Sequence, residues 1–455
     1  MIGTIDQIAA AVGGRLFGPG DGPVAGASID TRTIRPGEIF FAILGGRDGH
    51  DFAGRAVSGG AAAIVVSRML DPAPASPWIL VDDTLDALQA LGSHCRSGSG
   101  ARVVGLTGSC GKTTTKELIA AALGGAGPVL ATRGNLNNHL GVPLTLVELG
   151  PDHAYAVVEM GANHGGEIEQ LTRLADPDVG LVTCVAPAHT EFFGGIEGVA
   201  RAKAELFSTM RSDAVAVVNL DDPCVRAMPR RPRRAVTYGS DAAARPDVLL
   251  AKVEDAGGVQ RIRIRAGGET VEASLSLPGS HNALNATAAV AAASAAGVSP
   301  AAAAEGLASV QPVKGRGAIV KGRRLEVIDD TYNANPASVR AGLDLLCTLA
   351  SGRRTVAVLG DMFELGDEAP ALHGQVGERA AVAGVDVLVA VGAHAPDVRS
   401  GALEAGMRPG GVSTFEGTDA AVEEIGGLLR EGDIVLVKGS RGMKMERVVA
   451  SLLYW

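Results

Sequence analysis

A chain of 455 residues suggests about three domains at ~150 residues each, with length enough for several buried cores. Lysine and arginine total 41 against 50 aspartates and glutamates, a net charge of −9, which argues against a surface built for the nucleic-acid backbone or an anionic membrane. The chain is globular rather than disordered at 46% apolar and 20% charged residues, and its 62 glycines beside 3% aromatics suit tight strand-to-helix turns and backbone contacts to ligands more than base stacking.

The amino terminus, MIGTIDQIAAAVGG, lacks a basic leader region, and the longest apolar stretches fall far short of the ~20 residues that span a bilayer. A cytoplasmic protein with no membrane insertion is expected. In the first ~80 residues an Arg-Pro-Gly turn in IDTRTIRPGEIFFAIL leads into a strand, and AAAIVV follows a helix, which reads as a small α/β unit over 1–83. Residues 84–101 form a helical and then Ser/Gly-rich spacer before the buried strand RVVGL. From there YAVVEM, VGLVTCV and AVAVVNL alternate with helices, the pattern of parallel strands covered on both faces. Near Val259 the pattern changes: VQRIRIR and TVEASLSL alternate with period two and predict a solvent-faced antiparallel hairpin. Helices from Asn282 to about Ala308 close this second domain, 84–312, and the interruptions at Asn285, Thr287, Ser294, Ser299 and Pro300 make the alanine-rich run two soluble helices. RLEVID, TVAVLG, VDVLVAVG and DIVLVKG then form a Rossmann-like series over 313–455. The expected fold class is α/β in three domains, the central one a P-loop-type, mostly parallel sheet plus the hairpin.

After RVVGL come Thr107, Gly108, Ser109, Cys110, Gly111, Lys112, Thr113 and Thr114, then the helical KELIAAAL. Small residues let consecutive N–H groups surround phosphate oxygens, Lys112 meets the β/γ-phosphates, and Thr113 offers Mg²⁺ a hydroxyl. Leu106 stands where the strict pattern has its first Gly, so this is a shortened variant of the loop. Glu159 ends YAVVEM and His189 follows VGLVTCV, which puts both on the carboxyl edge of a parallel sheet beside the loop as candidate metal ligands. By pattern alone Lys203 is an exposed helix charge, GSHNALNATAA a capped helix with Asn282 and Asn285 available for hydrogen bonding, and DDTYNANP an Asx-rich turn. Five scattered cysteines (Cys95, Cys110, Cys184, Cys224, Cys347) without a CxxC pair imply a reducing compartment and no zinc site, and no evident Cys/His pairing marks Cys110 as a nucleophile.

Taken in order, TGSCGKTT, GNLNNHLGVPLTL, VVEMGANHGGEI, APAHTEFFGG, AKAELF, GSHNALNATAA, DDTYNANPASV and LGDMFELG resemble the Mur ligase family over nearly the whole chain. DDTYNANP and LGDMFELG are most similar to the branch that adds D-alanyl-D-alanine to UDP-N-acetylmuramoyl-tripeptide in peptidoglycan precursor synthesis. The resemblance implies a UDP-binding first domain with Ser28, Asp30, Thr31, Arg32, Asp48, Gly49 and His50 on the UDP-sugar, and a central ATPase. It implies Mg²⁺ at Thr113, Glu159 and His189, with Lys203 carbamylated as a further ligand. It places Asn282 near adenine, Arg316 and Asp330 at the ATP-clamping junction, and Asn135, Asn138, Asn333, Asn335 and Lys438 on the substrate side. The implied chemistry is phosphorylation of a peptide carboxylate by ATP, followed by attack of the dipeptide amine on the acyl phosphate, in a monomer that binds no nucleic acid. The alternatives are a related amino-acid ligase, such as folylpolyglutamate synthetase, and a nucleotide-dependent switch. The sequence leaves open whether the tripeptide ends in meso-diaminopimelate or lysine.

Overall fold

The computed structural model describes residues 2–256 and 259–455. Three principal sheets follow one another along the chain. The first has five strands in the spatial order Arg15–Phe17, Trp78–Leu80, Ala63–Val66, Glu38–Phe41, Gly26–Ser28; only the first pair is antiparallel. Glu38–Phe41 and Ala63–Val66 are the strands read from EIFF and AAAIVV, buried on both faces. One face packs Ile39, Phe41, Ala63 and Val65 against Leu88 and Leu91 of the helix Thr84–Ser97, which Asp83 starts by accepting from the Leu85 and Asp86 amides. The first core therefore reaches beyond residue 83.

The central sheet has nine strands: Glu269–Leu275, Val259–Ala266, Val248–Ala256, Arg234–Gly239, Val215–Asn219, Val179–Val182, Arg102–Thr107, Tyr155–Glu159, Val129–Ala131. All are parallel from Val129–Ala131 to Val248–Ala256; the last two run antiparallel. The alternating residues form the predicted hairpin, with Ile262 and Ile264 inward and Arg261, Arg263 and Arg265 outward. Val248–Ala256, not read as a strand from the sequence, extends the hairpin to a three-stranded meander; its run VLLAKVEDA lacks a clean period of two. Arg102–Thr107 lies where the strand order reverses, between Val179–Val182 and Tyr155–Glu159. In an open parallel sheet this switch point opens a crevice at the carboxyl ends, where ligands bind.

The alanine-rich run forms the helices Ser280–Ala295 and Pro300–Gly306, broken where Ser299 caps the second. Among the described residues no helix is long and apolar enough to cross a membrane. The third sheet orders its strands Ala318–Lys321, Glu326–Asp330, Ile434–Lys438, Thr355–Gly360, Val387–Val391, Val412–Phe415, antiparallel only at the first pair. The four central strands match the sequence reading. The two edge strands do not appear in it, because a four-residue edge strand with half-exposed positions carries little apolar signal.

Candidate active site

The loop after Thr107 is shaped by backbone that only glycine fits. Gly108 has φ 148°, and a Cβ there would lie 1.9 Å from Thr183 Oγ1; Gly111, with φ 77°, starts the helix Lys112–Gly124. The neighbouring strand end holds the loop. Ser109 N donates to the Cys184 carbonyl (2.9 Å), Ser109 Oγ to the Ala186 carbonyl (3.0 Å), and Thr183 Oγ1 to the Cys110 carbonyl (2.6 Å). Lys112 folds back so that Nζ donates to the Gly108 carbonyl (2.6 Å), which stations the cation over the loop. A helix N-terminus, a ring of small residues and this ammonium make an anion cradle.

The cradle opens into a cavity of about 620 Å³. Glu159 and His189 both line it, as their positions at strand ends predict. Glu159 is 1% exposed; Oε1 accepts from Asn137 Nδ2 (2.8 Å), while Oε2 is buried without a protein partner. Since buried carboxylate oxygens are ordinarily satisfied, an orphan at a cavity wall suits a cation or a donor on a ligand. His189 holds a left-handed backbone (φ 57°) and pairs through Nδ1 with Glu364 of the third domain. Burial pushes its pKa down, and the Lys112 and Lys203 charges add to this against the pull of Glu364.

Lys203 departs from the plain reading of a helix charge: it is 3% exposed and lines the cavity. Its pKa is pushed down to about 7, first by burial and then by Lys112. Lys112 and Lys203 face one cavity here, and their mutual repulsion when both are protonated is what polyanionic phosphates would relieve. Cys110 also lines the cavity; its pKa is lowered, chiefly by a hydrogen bond from the Cys184 thiol, and its Sγ lies 3.2 Å from the Asn335 amide.

The third domain closes the cavity. Glu326–Asp330 and Ile434–Lys438 pair in a register that sets Asp330 beside Lys438, and Lys438 Nζ donates to Asp330 Oδ2 (2.6 Å) and the Asn333 carbonyl (2.9 Å). The Arg316 guanidinium sits 4.0 Å from the centre of the Tyr332 ring. Asn333 Oδ1 accepts from the Ala334 amide (3.0 Å), and Asn335 caps the helix Pro336–Ala350 through Ser338 N while its amide faces Cys110. Asn282, whose Nδ2 donates to the Pro278 carbonyl (2.8 Å), lines the cavity with Gly108–Thr114, Asn135, Asn138, Asn285, Arg316 and Asp330. Asn138 turns its oxygen to the Leu140 and Gly141 amides at a helix start.

The residue that meets Glu159 is Asn137, which the sequence reading passed over between Asn135 and Asn138. Glu364 is visible in the sequence only as a member of LGDMFELG. The signal for each was present as a motif, but motif spacing does not say which side chain turns inward.

The seven N-terminal residues do not border this cavity. Arg32 pairs with Asp30 (Nη2–Oδ2 2.6 Å) beside Thr31, and Ser28 Oγ donates to the Asp30 carbonyl (3.2 Å). His50 is buried, with Nδ1 on Asp48 (2.6 Å) and Nε2 accepting from Ser67 N (2.9 Å), so it pins the loop at Gly49. At Gly49 a Cβ would stand 2.6 Å from the Ala42 carbonyl carbon, so the loop admits only glycine there.

Residues 106–293 match the Mur ligase middle domain and residues 315–441 the Mur ligase, glutamate ligase domain. The chain is 39% identical to the UDP-N-acetylmuramoyl-tripeptide–D-alanyl-D-alanine ligase of Escherichia coli, over 99% of this chain and 98% of that one. It is 34% identical to the ligase of the same name from Bacillus subtilis, over 99% and 98%. Among solved structures it is similar to MurF from Acinetobacter baumannii (TM-score 0.90, 32% identity, 99% and 98% covered). It is also similar to the MurF ligase from Thermotoga maritima in complex with ADP (TM-score 0.81, 29% identity, 94% and 97% covered). With its phosphate loop, its orphan carboxylate and its docked third domain, this chain belongs to the Mur ligase family.

Proposed function

We propose that this chain joins D-alanyl-D-alanine to the terminal carboxylate of UDP-N-acetylmuramoyl-tripeptide at the expense of ATP, forming the pentapeptide precursor of peptidoglycan in the cytoplasm, as a monomer. The observation that carries the reading is the convergence on one cavity of the phosphate loop with Lys112, the buried Lys203, and the Asp330–Lys438 pair of another domain. A nucleotide switch needs only the first of these.

A carboxylate is a poor electrophile. Transfer of the γ-phosphoryl group breaks the bond to ADP and forms an acyl phosphate; the dipeptide amine then attacks the carbonyl carbon, phosphate leaves, and the nitrogen gives up a proton. Lys112 holds the β/γ-phosphates against their mutual repulsion and stabilises charge as the phosphoryl group moves. The carboxylate must meet the γ-phosphate in line, so excluding water is part of the work, and the docked third domain does this. Arg316 on Tyr332 and Asn282 from the alanine helix face the nucleotide from two sides. Asp330, Lys438, Asn333 and Asn335 stand on the acceptor side, Asn135 and Asn138 face the muramoyl peptide, and Ser28, Asp30, Thr31, Arg32, Asp48, Gly49 and His50 hold the UDP end.

Magnesium fits the donors present: the orphan Glu159 Oε2, the Thr113 hydroxyl, the His189 imidazole and a carbamylated Lys203 would hold it. When bound, it neutralises phosphate charge. The Lys203 amine, with a pKa of about 7, is substantially uncharged at neutral pH, and only the uncharged amine adds to CO₂ to give a carbamate. The test is phosphate release across a substrate panel: release only with ATP, the UDP-muramoyl-tripeptide and D-alanyl-D-alanine together supports ligation, and hydrolysis indifferent to both acceptors overturns it.

A further inference from the structure

His189 and Glu364 lie 175 residues apart in sequence and belong to different domains. Both hold left-handed backbone, φ 57° and φ 63°, in residues other than glycine. Such a conformation is strained in a residue with a Cβ and persists where the surroundings over-determine it. Here each loop holds the other. The Glu191 amide donates to the Glu364 carbonyl (3.2 Å), Thr190 Oγ1 donates to the Leu365 carbonyl (3.2 Å), and the Glu364 carboxylate takes His189 Nδ1. A Cβ at Gly366, itself at φ 60°, would come within 3.4 Å of Glu191 Cα, so the approach is close.

The Glu364 side chain is 41% exposed, and a polar contact that open contributes little to stability. Its effect is directional. With Nδ1 committed to the carboxylate, Nε2 is the nitrogen left for the cavity, and the ring plane is fixed. No other side-chain hydrogen bond among the described residues orients this ring.

We propose that Glu364 is a positioning residue for the phosphate end of the site: it sets the tautomer and plane of His189, and does so only while the third domain is docked. Docking and completion of the metal-holding group are thereby one event. By linkage, whatever tightens the metal tightens the docked state by the same factor. This rests on the ligase reading in which His189 faces the metal.

The test uses Mn²⁺ as probe, with ADP-loaded enzyme followed by electron paramagnetic resonance, so that it does not depend on turnover. Glu364→Ala is expected to weaken Mn²⁺ about 10- to 100-fold, the usual effect of losing a partner that orients a ligand. Glu364→Gln, whose amide oxygen still accepts from Nδ1, keeps most of the affinity and serves if the alanine variant does not fold. Glu364→Asp, one methylene shorter, behaves as the alanine variant. Added to His189→Ala, Glu364→Ala should change nothing further, since it acts through that ring. In turnover, kcat falls and the KM for the UDP-linked substrate holds. Unchanged Mn²⁺ affinity in both Glu364→Ala and Glu364→Asp, multiplying effects in the double variant, or no Mn²⁺ binding by the wild-type protein with ADP overturns the proposal. Failure of the ligase reading is a separate result, an absence of acceptor-dependent phosphate release by the wild-type chain.

Discussion

The loop cluster of the first domain and the phosphate end of the central cavity are both rich in charge, yet they are built in opposite ways. In the first, charges are matched by near neighbours. Arg32 holds the Asp30 carboxyl down to about 2, and Asp48, held at about 2 by the His50 amide, also receives Arg68. At the phosphate end charges are left over: one Glu159 oxygen has no partner, and Lys203 is buried beside a like charge. A satisfied surface cluster presents a fixed face to which a ligand adds contacts, whereas an unsatisfied buried one is completed by the ligand. The first is expected to govern affinity for one substrate and the second to govern the chemistry.

The sharpest way to break this contrast is Lys112→Ala. It is expected to leave a folded protein without measurable ligation, because loss of one cation at a developing phosphoryl charge costs several kcal/mol. A folded variant turning over near the wild-type rate would show the phosphate end to be no more critical than the surface.

Lys203→Ala comes next, nearly inactive and partly restored by acetate or formate in the vacated space. In the wild-type enzyme stripped of CO₂, recovery on adding bicarbonate should grow as pH rises from about 6 to about 8. The sign follows from the lowered pKa: protonated below about 7, the amine cannot add CO₂; above it, it can. Activity of the alanine variant equal to wild type would return Lys203 to the status of an ordinary helix charge.

Arg32→Ala should be the mildest. Its side chain is 79% exposed, so stability should change by no more than about 0.5 kcal/mol. The KM for the UDP-muramoyl-tripeptide rises about tenfold with ATP affinity intact, as calorimetry would show. An equal fall in ATP affinity would erase the division of labour.

The same contrast explains what the sequence disclosed. The phosphate loop is legible because its chemistry is local: eight consecutive residues between a strand and a helix. Glu159 and His189 are legible one step further out, since parallel strands bring their carboxyl ends to one edge wherever they sit in the chain. The hairpin at Val259–Leu275 announces itself by period two. Asn137 does not, because the choice among Asn135, Asn137 and Asn138 depends on how one turn is wound. Glu364 does not either; its partner is 175 residues away and in another domain, and no local pattern encodes that approach. For Lys203 burial is the deciding fact, and helix periodicity around a lysine with a long apolar stem reads equally well as a solvated face.

The alanine-rich helix Ser280–Ala295 is covered on nearly every side, with Ala283, Ala286, Ala289 and Ala292 fully buried, and it rests on the helix Lys112–Gly124 that carries the phosphate loop. From this same helix Asn285 Oδ1 stands 2.9 Å from the point where a Gly111 Cβ would be. The methyl-thin cylinder is thus a gauge block between the sheet and the helix that carries the phosphate loop. A bulkier residue at Ala289 would strain the core by about 1–3 kcal/mol, and it would also lift Asn285, one turn and ~6 Å away, against the loop. Core volume and the seating of the phosphate loop are set by one dimension in this molecule, so a change made for either is felt by both.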